Sequence, residues 1–136
     1  MLVRDAMTPH PRSANAETSV REVVRILAES DIRHLPIIRG SALVGIVSTR
    51  DLRAVVPSGV AYFGDPHEIQ QILDQPVGEL MNNTPISVNP GSELREAVDL
   101  MLGHKIGAVT VIEPGSQELV GIVTYVDALR VARPFL

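Results

Sequence analysis

The chain has 136 residues, a formal net charge of −4 and no cysteine. This length fits one compact domain or two very small ones that share a core, and the missing cysteines exclude disulfide frameworks and thiolate metal sites. Hydrophobic residues make up 45% of the chain but aromatic residues only 3%, so the core must consist mainly of aliphatic side chains.

The same composition limits the kind of partner. The arginines are scattered along an acidic chain, which argues against a surface for duplex nucleic acid, because such a surface needs a concentrated basic stripe. The apolar runs fall far short of the about 20 residues that a membrane span needs, and the start lacks the pattern of a signal peptide. We therefore expect an intracellular protein that is cytoplasmic, or the cytoplasmic domain of a larger protein.

The first half of the chain predicts a β-α-β-β-α unit. Thr18 or Ser19 is a candidate N-cap for an amphipathic helix, because apolar residues follow it at helical spacing. Two β-branched runs, 35–38 and 43–47, flank a polar turn and predict strands joined by a hairpin. The remaining two elements are an extended segment before this helix and a second helix after the hairpin, at 12–15 and 49–55.

The segment 57–76 contains several prolines and glycines and is interpreted as a connector. Inside it, Asp65-Pro66-His67-Glu68 combines an N-cap residue, proline at the first helical position and glutamate at the third. This pattern predicts a short helix that ends near Leu73.

The second half of the chain repeats the first. Identical residues recur in the same order at Val3, Met7, Pro11, Ser13, Asn15, Arg21, Glu22, Val24, Ile32 and Ile38, and at Val77, Met81, Pro85, Ser87, Asn89, Arg95, Glu96, Val98, Ile106 and Ile112. After a small insertion, the run 43–47 recurs at 119–123, and Ser92 is the N-cap candidate matching Thr18. The sequence therefore predicts a tandem duplication, with repeat 1 at 1–56, the connector at 57–76 and repeat 2 at 77–136.

Each repeat is too short to bury its own strands easily. The predicted strands are continuous apolar runs, so both of their faces should be covered. We therefore expect an α/β (α+β) fold in which two pseudo-twofold-related β-α-β-β-α repeats pack through their sheets, as the subunits of an isologous dimer do.

A search for catalytic motifs gives no candidate. The sequence contains no phosphate-binding loop, dinucleotide fingerprint, zinc-helix motif or nucleophile elbow. Its histidines do not fall at helical ligand spacing with a carboxylate. We therefore predict that the chain is not an enzyme and has no catalytic residue, metal site or catalytic cofactor.

One short motif occurs twice, in 45–51 and 121–127: glycine, two apolar residues, a hydroxyl residue, two variable residues and aspartate. Each copy lies where a strand is predicted to end and a helix to begin. Ser48 and Thr124 take the N-cap position of helix starts that attract anions. Asp51 and Asp127 follow on the first turn, where a carboxylate can accept two hydrogen bonds, as from the diol of a ribose.

A structural interpretation of the same motif is equally available. A hydroxyl residue followed three positions later by aspartate is close to a capping box. Aspartate in a first helical turn is also favoured by the helix dipole alone. The residues of the motif therefore leave ligand binding and simple capping open.

The duplicated pattern resembles a tandem pair of CBS (cystathionine β-synthase) domains, a Bateman module. The resemblance is carried by Gly45-Ile46-Val47-Ser48-Thr49-Arg50-Asp51 and Gly121-Ile122-Val123-Thr124-Tyr125-Val126-Asp127, with Ala6-Met7-Thr8, Leu80-Met81-Asn82 and Arg33-His34-Leu35-Pro36-Ile37 in support. It covers the whole chain except the connector. It implies a regulatory module that binds AMP, ADP, ATP or S-adenosylmethionine in a cleft between the paired domains.

The resemblance also implies a role for individual residues. The residues implied to hold or flank the ribose hydroxyls are Asp51, Asp127, Ser48 and Thr124. Those implied to lie near adenine are Thr8, Pro11 and Arg12 in one site and Asn82, Pro85 and Ile86 in the other. Those implied to face phosphates are Arg33, His34, Arg50, His104 and Lys105.

The second repeat departs from this pattern at two positions. Thr110 stands where the first repeat has Pro36, and Val126 stands where it has Arg50. Because fewer positive charges surround the second site, we expect nucleotide binding to be led by the Asp51 site.

Two functions from different classes remain open. In the first, an adenine nucleotide favours one arrangement of the two halves and shifts the population towards it. In the second, the chain is a ligand-independent module for homodimerisation or protein interaction. Apolar residues left over on the helices favour self-association in either case, namely Leu52, Val55, Val56, Leu129 and Val131. The target would be an effector domain or partner that the sequence does not identify.

Overall fold

The structure is a computed structural model that describes residues 1–56 and 66–136. The chain divides into two compact units. Unit 1 comprises residues 1–12, 41–43 and 85–136, and unit 2 comprises residues 13–40 and 44–84.

The described residues form the predicted β-α-β-β-α elements in order, preceded by a short helix and a short strand that were not predicted. The helices are α1 (Val3–Ala6), α2 (Val20–Ser30), α3 (Thr49–Val55), α4 (Pro66–Asp74), α5 (Leu94–His104) and α6 (Tyr125–Ala132). The strands are β1 (Thr8–Pro9), β2 (Ala14–Asn15), β3 (His34–Arg39), β4 (Ala42–Ser48), β5 (Ser87–Val88), β6 (Ala108–Ile112) and β7 (Leu119–Thr124). Short 3-10 helices occupy Val77–Glu79 and Arg133–Phe135.

Unit 2 is built on a three-stranded sheet in the order β2-β3-β4, with β2 parallel to β3. Its aliphatic core is formed by Ala14, Ala16, Val20, Val23, Ile26, Leu27, Leu35, Ile37, Val47, Leu52 and Val77. Helix α2 begins where the Ser19 side chain accepts a hydrogen bond from the Glu22 amide, and it ends at Asp31 in the left-handed conformation.

Unit 1 is built on a four-stranded sheet in the order β1-β7-β6-β5, with β5 parallel to β6 and the other pairs antiparallel. Its core is formed by Val3, Val88, Leu94, Ala97, Met101, Val109, Val111 and Val123. Thr110 is fully buried in β6, but its hydroxyl donates to the Ile86 carbonyl and bonds the Ser87 hydroxyl. Its polarity is therefore satisfied.

The residues at the start of each repeat, here called its leading segment, pack in the unit that contains the repeated motif of the other repeat. In unit 1, Thr8 of β1 pairs with Ile122 of β7. In unit 2, Asn82 forms the matching bridge with Ile46 of β4. The compact units therefore differ from the predicted repeats. Residues 1–12 belong to the unit of the second motif, and residues 77–84 belong to the unit of the first.

Two glycines allow the leading segments to approach the strands. A Cβ on Gly45 would lie 2.9 Å from the Asn82 carbonyl oxygen and would collide with the Met81 side chain. A Cβ on Gly121 would lie 3.2 Å from the Thr8 carbonyl oxygen and would collide with the Met7 side chain. The glycine of the repeated motif is therefore explained by close packing of a backbone and a methionine.

The α/β class and the β-α-β-β-α order are confirmed, and so is the helix predicted in the connector, which runs to Asp74. Its predicted N-cap, Asp65, lies outside the described residues. Of the two N-cap candidates for α2, Ser19 is confirmed and Thr18 is wrong, and the prediction of Ser92 for α5 is wrong because the N-cap position is Glu93. The Thr18 and Ser92 hydroxyls instead accept the amides of Asn15 and Asn89, in the turn before each helix.

The apolar residues predicted to be left over on the helices divide in the structure. Leu52 is 5% exposed and belongs to the core of unit 2, so its prediction as a surface residue is wrong. Val55, Val56 and Val131 are half-buried, whereas Leu129 is 59% exposed. Separately, none of the helices in 1–56 or 66–136 is long and apolar enough to cross a membrane.

Candidate functional site: the two strand-to-helix corners

The first corner joins β4 to α3 and carries Asp51. The Ser48 side chain accepts a hydrogen bond from the Asp51 amide at 3.1 Å, and Asp51 Oδ2 accepts one from the Ser48 amide at 3.1 Å. This reciprocal pair is a capping box. The Asp51 side chain is nevertheless exposed. Its Oδ1 atom has no hydrogen-bond partner within residues 1–56 and 66–136.

The segment that begins β3 borders this corner. The Arg33 carbonyl accepts hydrogen bonds from the Thr49 amide at 2.9 Å and the Thr49 hydroxyl at 3.3 Å. These two hydrogen bonds hold the start of α3 against the residue that precedes β3. The Arg50 side chain is exposed on the first turn of α3, so a cation and a carboxylate share that turn.

His34 is the titratable group close to Asp51. Burial lowers the pKa of the His34 imidazole below its ordinary value of 6.5, the Asp51 carboxylate opposes this shift, and the Arg33 guanidinium adds to it. A neutral imidazole can accept as well as donate a hydrogen bond. The corner therefore combines an available carboxylate oxygen with a mainly neutral histidine at neutral pH.

Arg33 lines a separate cleft of about 670 Å3 between α2 and α3. Thr49 and Arg53 line the same cleft. Among the described residues, its lining does not include Asp51. Arg33 therefore supports the corner through its backbone carbonyl and also belongs to a cleft that Asp51 does not line.

The second corner joins β7 to α6 and carries Asp127. Thr124 forms the same capping box, with its amide 2.9 Å from Asp127 Oδ2 and its hydroxyl accepting the Asp127 amide at 3.3 Å. Its hydroxyl also lies 3.2 Å from Oδ2. Unlike Asp51, Asp127 is only 4% exposed and is the one charged residue recorded as buried in the described part of the chain.

Two further side chains bind the Asp127 carboxylate. The Thr8 hydroxyl lies 3.3 Å from Oδ1 and 3.4 Å from Oδ2. Arg130, one turn further along α6, places Nη1 3.3 Å from Oδ1. Both oxygens of this carboxylate are therefore hydrogen-bonded inside unit 1.

The structure divides the residues implied to contact adenine between the units. Thr8, Pro11 and Arg12 lie in unit 1 with Pro85 and Ile86, while Asn82 lies in unit 2. Thr8 touches the Asp127 carboxylate. Asn82 instead uses its side-chain oxygen to accept the Thr84 amide at 3.0 Å and hydroxyl at 3.1 Å.

The residues implied to face phosphates are also divided. Arg33 and His34 lie at the start of β3 beside the Asp51 corner and Arg50 lies on the first turn of α3, but Arg33 also lines the separate cleft between α2 and α3. His104 ends α5 and Lys105 follows it in the left-handed conformation, both of them exposed. Their counterparts in the first repeat, by alignment, are Ser30 and Asp31. They therefore occupy a helix end that carries no cation in the other repeat.

Sequence reasoning did not identify Arg130 as a neighbour of the second corner. The signal was available, because an arginine three residues after an aspartate on a helix lies on the same face. The Thr8 hydrogen bond had no local signal, since Thr8 and Asp127 are separated by almost the whole chain.

Within residues 1–56 and 66–136, histidine, aspartate and glutamate form no group of three or more that could hold a metal ion.

Comparison with known proteins identifies the family. The CBS domain model matches residues 3–58 and 77–133, so the chain belongs to the CBS domain family and carries a tandem pair of these domains. The structure called CBSX2 in complex with AMP is similar, with 30% identity, a TM-score of 0.81, and coverage of 98% of this chain and 97% of that one.

Two other relatives extend the comparison. The CBS domain pair of protein MJ0100, in complex with 5'-methylthioadenosine and S-adenosyl-L-methionine, is 25% identical with a TM-score of 0.82, over 100% of this chain and 98% of that one. Inosine-5'-monophosphate dehydrogenase of Korarchaeum cryptofilum is 34% identical over 98% of this chain. The chain spans only 24% of the length of that dehydrogenase.

Proposed function

We propose that this CBS pair is a regulatory module that binds an adenosine-containing nucleotide, with the Asp51 corner as the leading site. The proposed ligands are AMP, ADP, ATP and S-adenosylmethionine. Binding would change the conformation or association of the module, and a partner domain or protein would respond to that change. Support comes from the AMP complex of a relative that matches nearly the full length of both chains.

The observation that carries the proposal is the state of the Asp51 carboxylate. Its exposed Oδ1 atom is available as an acceptor, while Oδ2 is fixed by the Ser48 amide. The two hydroxyls of a ribose donate to one carboxylate, and such charge-assisted hydrogen bonds are stronger than neutral ones. Capping and ligand binding are therefore compatible at this corner, because they use different acceptor positions.

The surrounding residues supply the remaining contacts in this proposal. Ser48 holds the carboxylate in place, and the exposed Arg50 with His34 would face the phosphates. Asp127 and Thr124 would hold the ribose of a second ligand. The residues proposed near adenine are Thr8, Pro11, Arg12, Asn82, Pro85 and Ile86. Arg33, His104 and Lys105 are also proposed to face phosphates.

A thermal-shift panel of AMP, ADP, ATP, NADH and S-adenosylmethionine tests the function directly. A ligand at about 100 times its dissociation constant should stabilise the fold by about 2.7 kcal/mol. The absence of a shift with every adenosine compound would contradict nucleotide sensing.

Calorimetry of Asp51→Ala tests the assignment of the site. We expect the affinity of the leading site to fall about 10–100-fold, because two hydrogen bonds to a charged group are lost. Asp99→Ala is a matched control, because it removes one exposed aspartate from α5, where Asp99 pairs only weakly with Arg95. It should leave the affinity unchanged.

Self-association is the second candidate function, and the exposed face of α6 favours it. Val126 and Leu129 are 47% and 59% exposed and lie three residues apart, on one face of the helix. Their counterparts in the first repeat are Arg50 and Arg53, so the apolar face belongs to unit 1. We propose a second copy of this chain as its occupant. Leu129→Glu should then lower the mass measured by sedimentation, with Leu102→Glu on α5 as the control.

A further inference from the structure

The two corners share a hydroxyl cap and an aspartate but differ in the donors around the carboxylate. Asp127 accepts from the Thr124 amide, the Thr124 hydroxyl, the Thr8 hydroxyl and the Arg130 guanidinium. Asp51 accepts from the Ser48 amide. Of the three additional donors, the Thr124 hydroxyl belongs to the repeated motif, whereas Thr8 and Arg130 lie outside it.

The two additional donors that lie outside the motif, Thr8 and Arg130, are residues at which the repeats differ. The counterpart of Thr8 is Asn82, whose side-chain oxygen is already bonded to Thr84. The counterpart of Arg130 is Ala54, which has no side-chain donor. The duplicated sequence thus supplies an internal control, in which the same motif occurs once with and once without these donors.

We propose that Thr8 and Arg130, here called the covering pair, make the Asp127 corner the weaker of the two sites by competing with the ribose hydroxyls for its carboxylate. The ligand class is any molecule with a free ribose diol, adenosine nucleotides included. This inference rests on the proposed function, and it adds the residues that decide which site fills first.

The number of acceptor positions supports this competition. A carboxylate offers about four lone-pair positions, two on each oxygen. Oδ2 of Asp127 already accepts from the Thr124 amide and hydroxyl, and Oδ1 accepts from Arg130 and, at its shorter distance, from the single hydroxyl proton of Thr8. A diol brings two more donors, so the covering pair must move away before the ligand binds.

The covering pair can move without unfolding the corner. The Arg130 side chain is 71% exposed, and the Thr8 hydroxyl can rotate while the backbone of β1 stays paired with β7. The Thr124 amide remains as the structural donor, as the Ser48 amide does at the other corner. Displacement of the pair therefore weakens ligand binding without abolishing it.

The experiment measures binding of adenosine and AMP by calorimetry in an Asp51→Ala background, so that the Asp127 corner is the site observed. Thr8→Val, which keeps the size of the side chain proposed near adenine and removes only its hydroxyl, and Arg130→Ala are added singly and together. Each single change should tighten binding about 3–10-fold, as expected for the loss of one competing hydrogen bond. Arg133→Ala is the matched control, since it removes an exposed arginine just beyond α6 and should not change affinity.

A reciprocal change tests the same inference at the other corner. In an Asp127→Ala background, Ala54→Arg places an arginine three residues after Asp51 and should weaken adenosine binding about 3–10-fold. Adenosine carries no phosphate, so attraction between the new cation and a phosphate cannot obscure the result.

The outcomes separate this inference from the proposed function. Tighter binding in the covering-pair variants, with adenosine as well as AMP, supports it. Unchanged or weaker binding in these variants, while the wild type binds both ligands, overturns the covering role and leaves nucleotide sensing standing. A wild type that binds no adenosine compound overturns both proposals.

Discussion

The Asp51 and Asp127 corners have the same motif and the same capping box, yet one carboxylate is exposed and the other is buried under side-chain donors. The motif fixes where the carboxylate stands at the start of the helix. Residues elsewhere in the chain decide whether its oxygens are available. The repeated motif therefore specifies the position of the carboxylate, whereas the hydrogen bonds that the carboxylate accepts also depend on residues outside the motif.

The largest expected effect concerns the stability of the two corners. Asp127→Ala should lower the free energy of unfolding by about 2–3 kcal/mol, because it removes a buried carboxylate with several hydrogen bonds and leaves the half-buried Thr124 amide without its acceptor. Asp51→Ala should cost only about 0.5–1 kcal/mol, since it removes half of an exposed capping box. Urea denaturation of both variants measures the difference, and equal losses would contradict the burial contrast.

The glycines of the motif extend the comparison to the strands. Gly45→Ala should cost about 2 kcal/mol and Gly121→Ala about 1 kcal/mol, because the added methyl group meets a carbonyl oxygen at 2.9 Å in the first case and 3.2 Å in the second. A backbone oxygen moves less readily than the end of a methionine side chain, which both variants also displace. Thermal unfolding would rank the two variants, and the reverse order would contradict this account.

A third comparison concerns the starts of the long helices, where the predicted losses are smaller. Ser19 caps α2 by accepting the Glu22 amide, whereas Glu93 precedes α5 without a side-chain cap. Ser19→Ala should therefore cost about 1 kcal/mol, and Glu93→Ser should gain about 0.5 kcal/mol. Chemical denaturation measures both changes, and a loss of stability in Glu93→Ser would show that the glutamate contributes more than its position indicates.

Much of the fold could be predicted because its signals are local. Apolar spacing predicted α2 and α5, β-branched runs predicted the hairpin strands, and the repeat confirmed each assignment against a second copy. The corners were predicted for the same reason, since a hydroxyl residue and an aspartate three positions apart define a capping box within one helical turn. Thr18 and Ser92 each precede the observed N-cap position by one residue. Thr18 stands beside Ser19, which is equally suited to capping, and α5 begins after Glu93, which forms no side-chain cap.

The remaining features depend on contacts between distant parts of the chain. Nothing near Thr8 in the sequence indicates that its hydroxyl meets Asp127, and nothing near Met7 indicates that its side chain fills the space above Gly121. The burial of Leu52 was missed because a helix of two turns has too few residues for its apolar face to be assigned. The contacts of Thr8 and Met7 arise because the start of repeat 1 packs in the unit that contains the second motif, and the order of the repeats does not specify this packing.

The smallest expected effect is a difference in pH dependence, because His34 in unit 2 has Ala108 as its counterpart in unit 1. Burial lowers the pKa of His34, so below about pH 6.5 the unfolded chain takes up a proton that the folded chain resists. The His34 contribution to stability is therefore present above that pH and is lost as the pH falls towards the folded-state pKa. His34→Gln should flatten this part of the stability curve, measured by urea denaturation between about pH 7 and pH 5. Asp51→Asn should extend this loss of stability to lower pH, because without the Asp51 carboxylate burial lowers the pKa of His34 in the folded chain further. An unchanged slope in His34→Gln would show that the imidazole is protonated as readily in the folded chain as in the unfolded one.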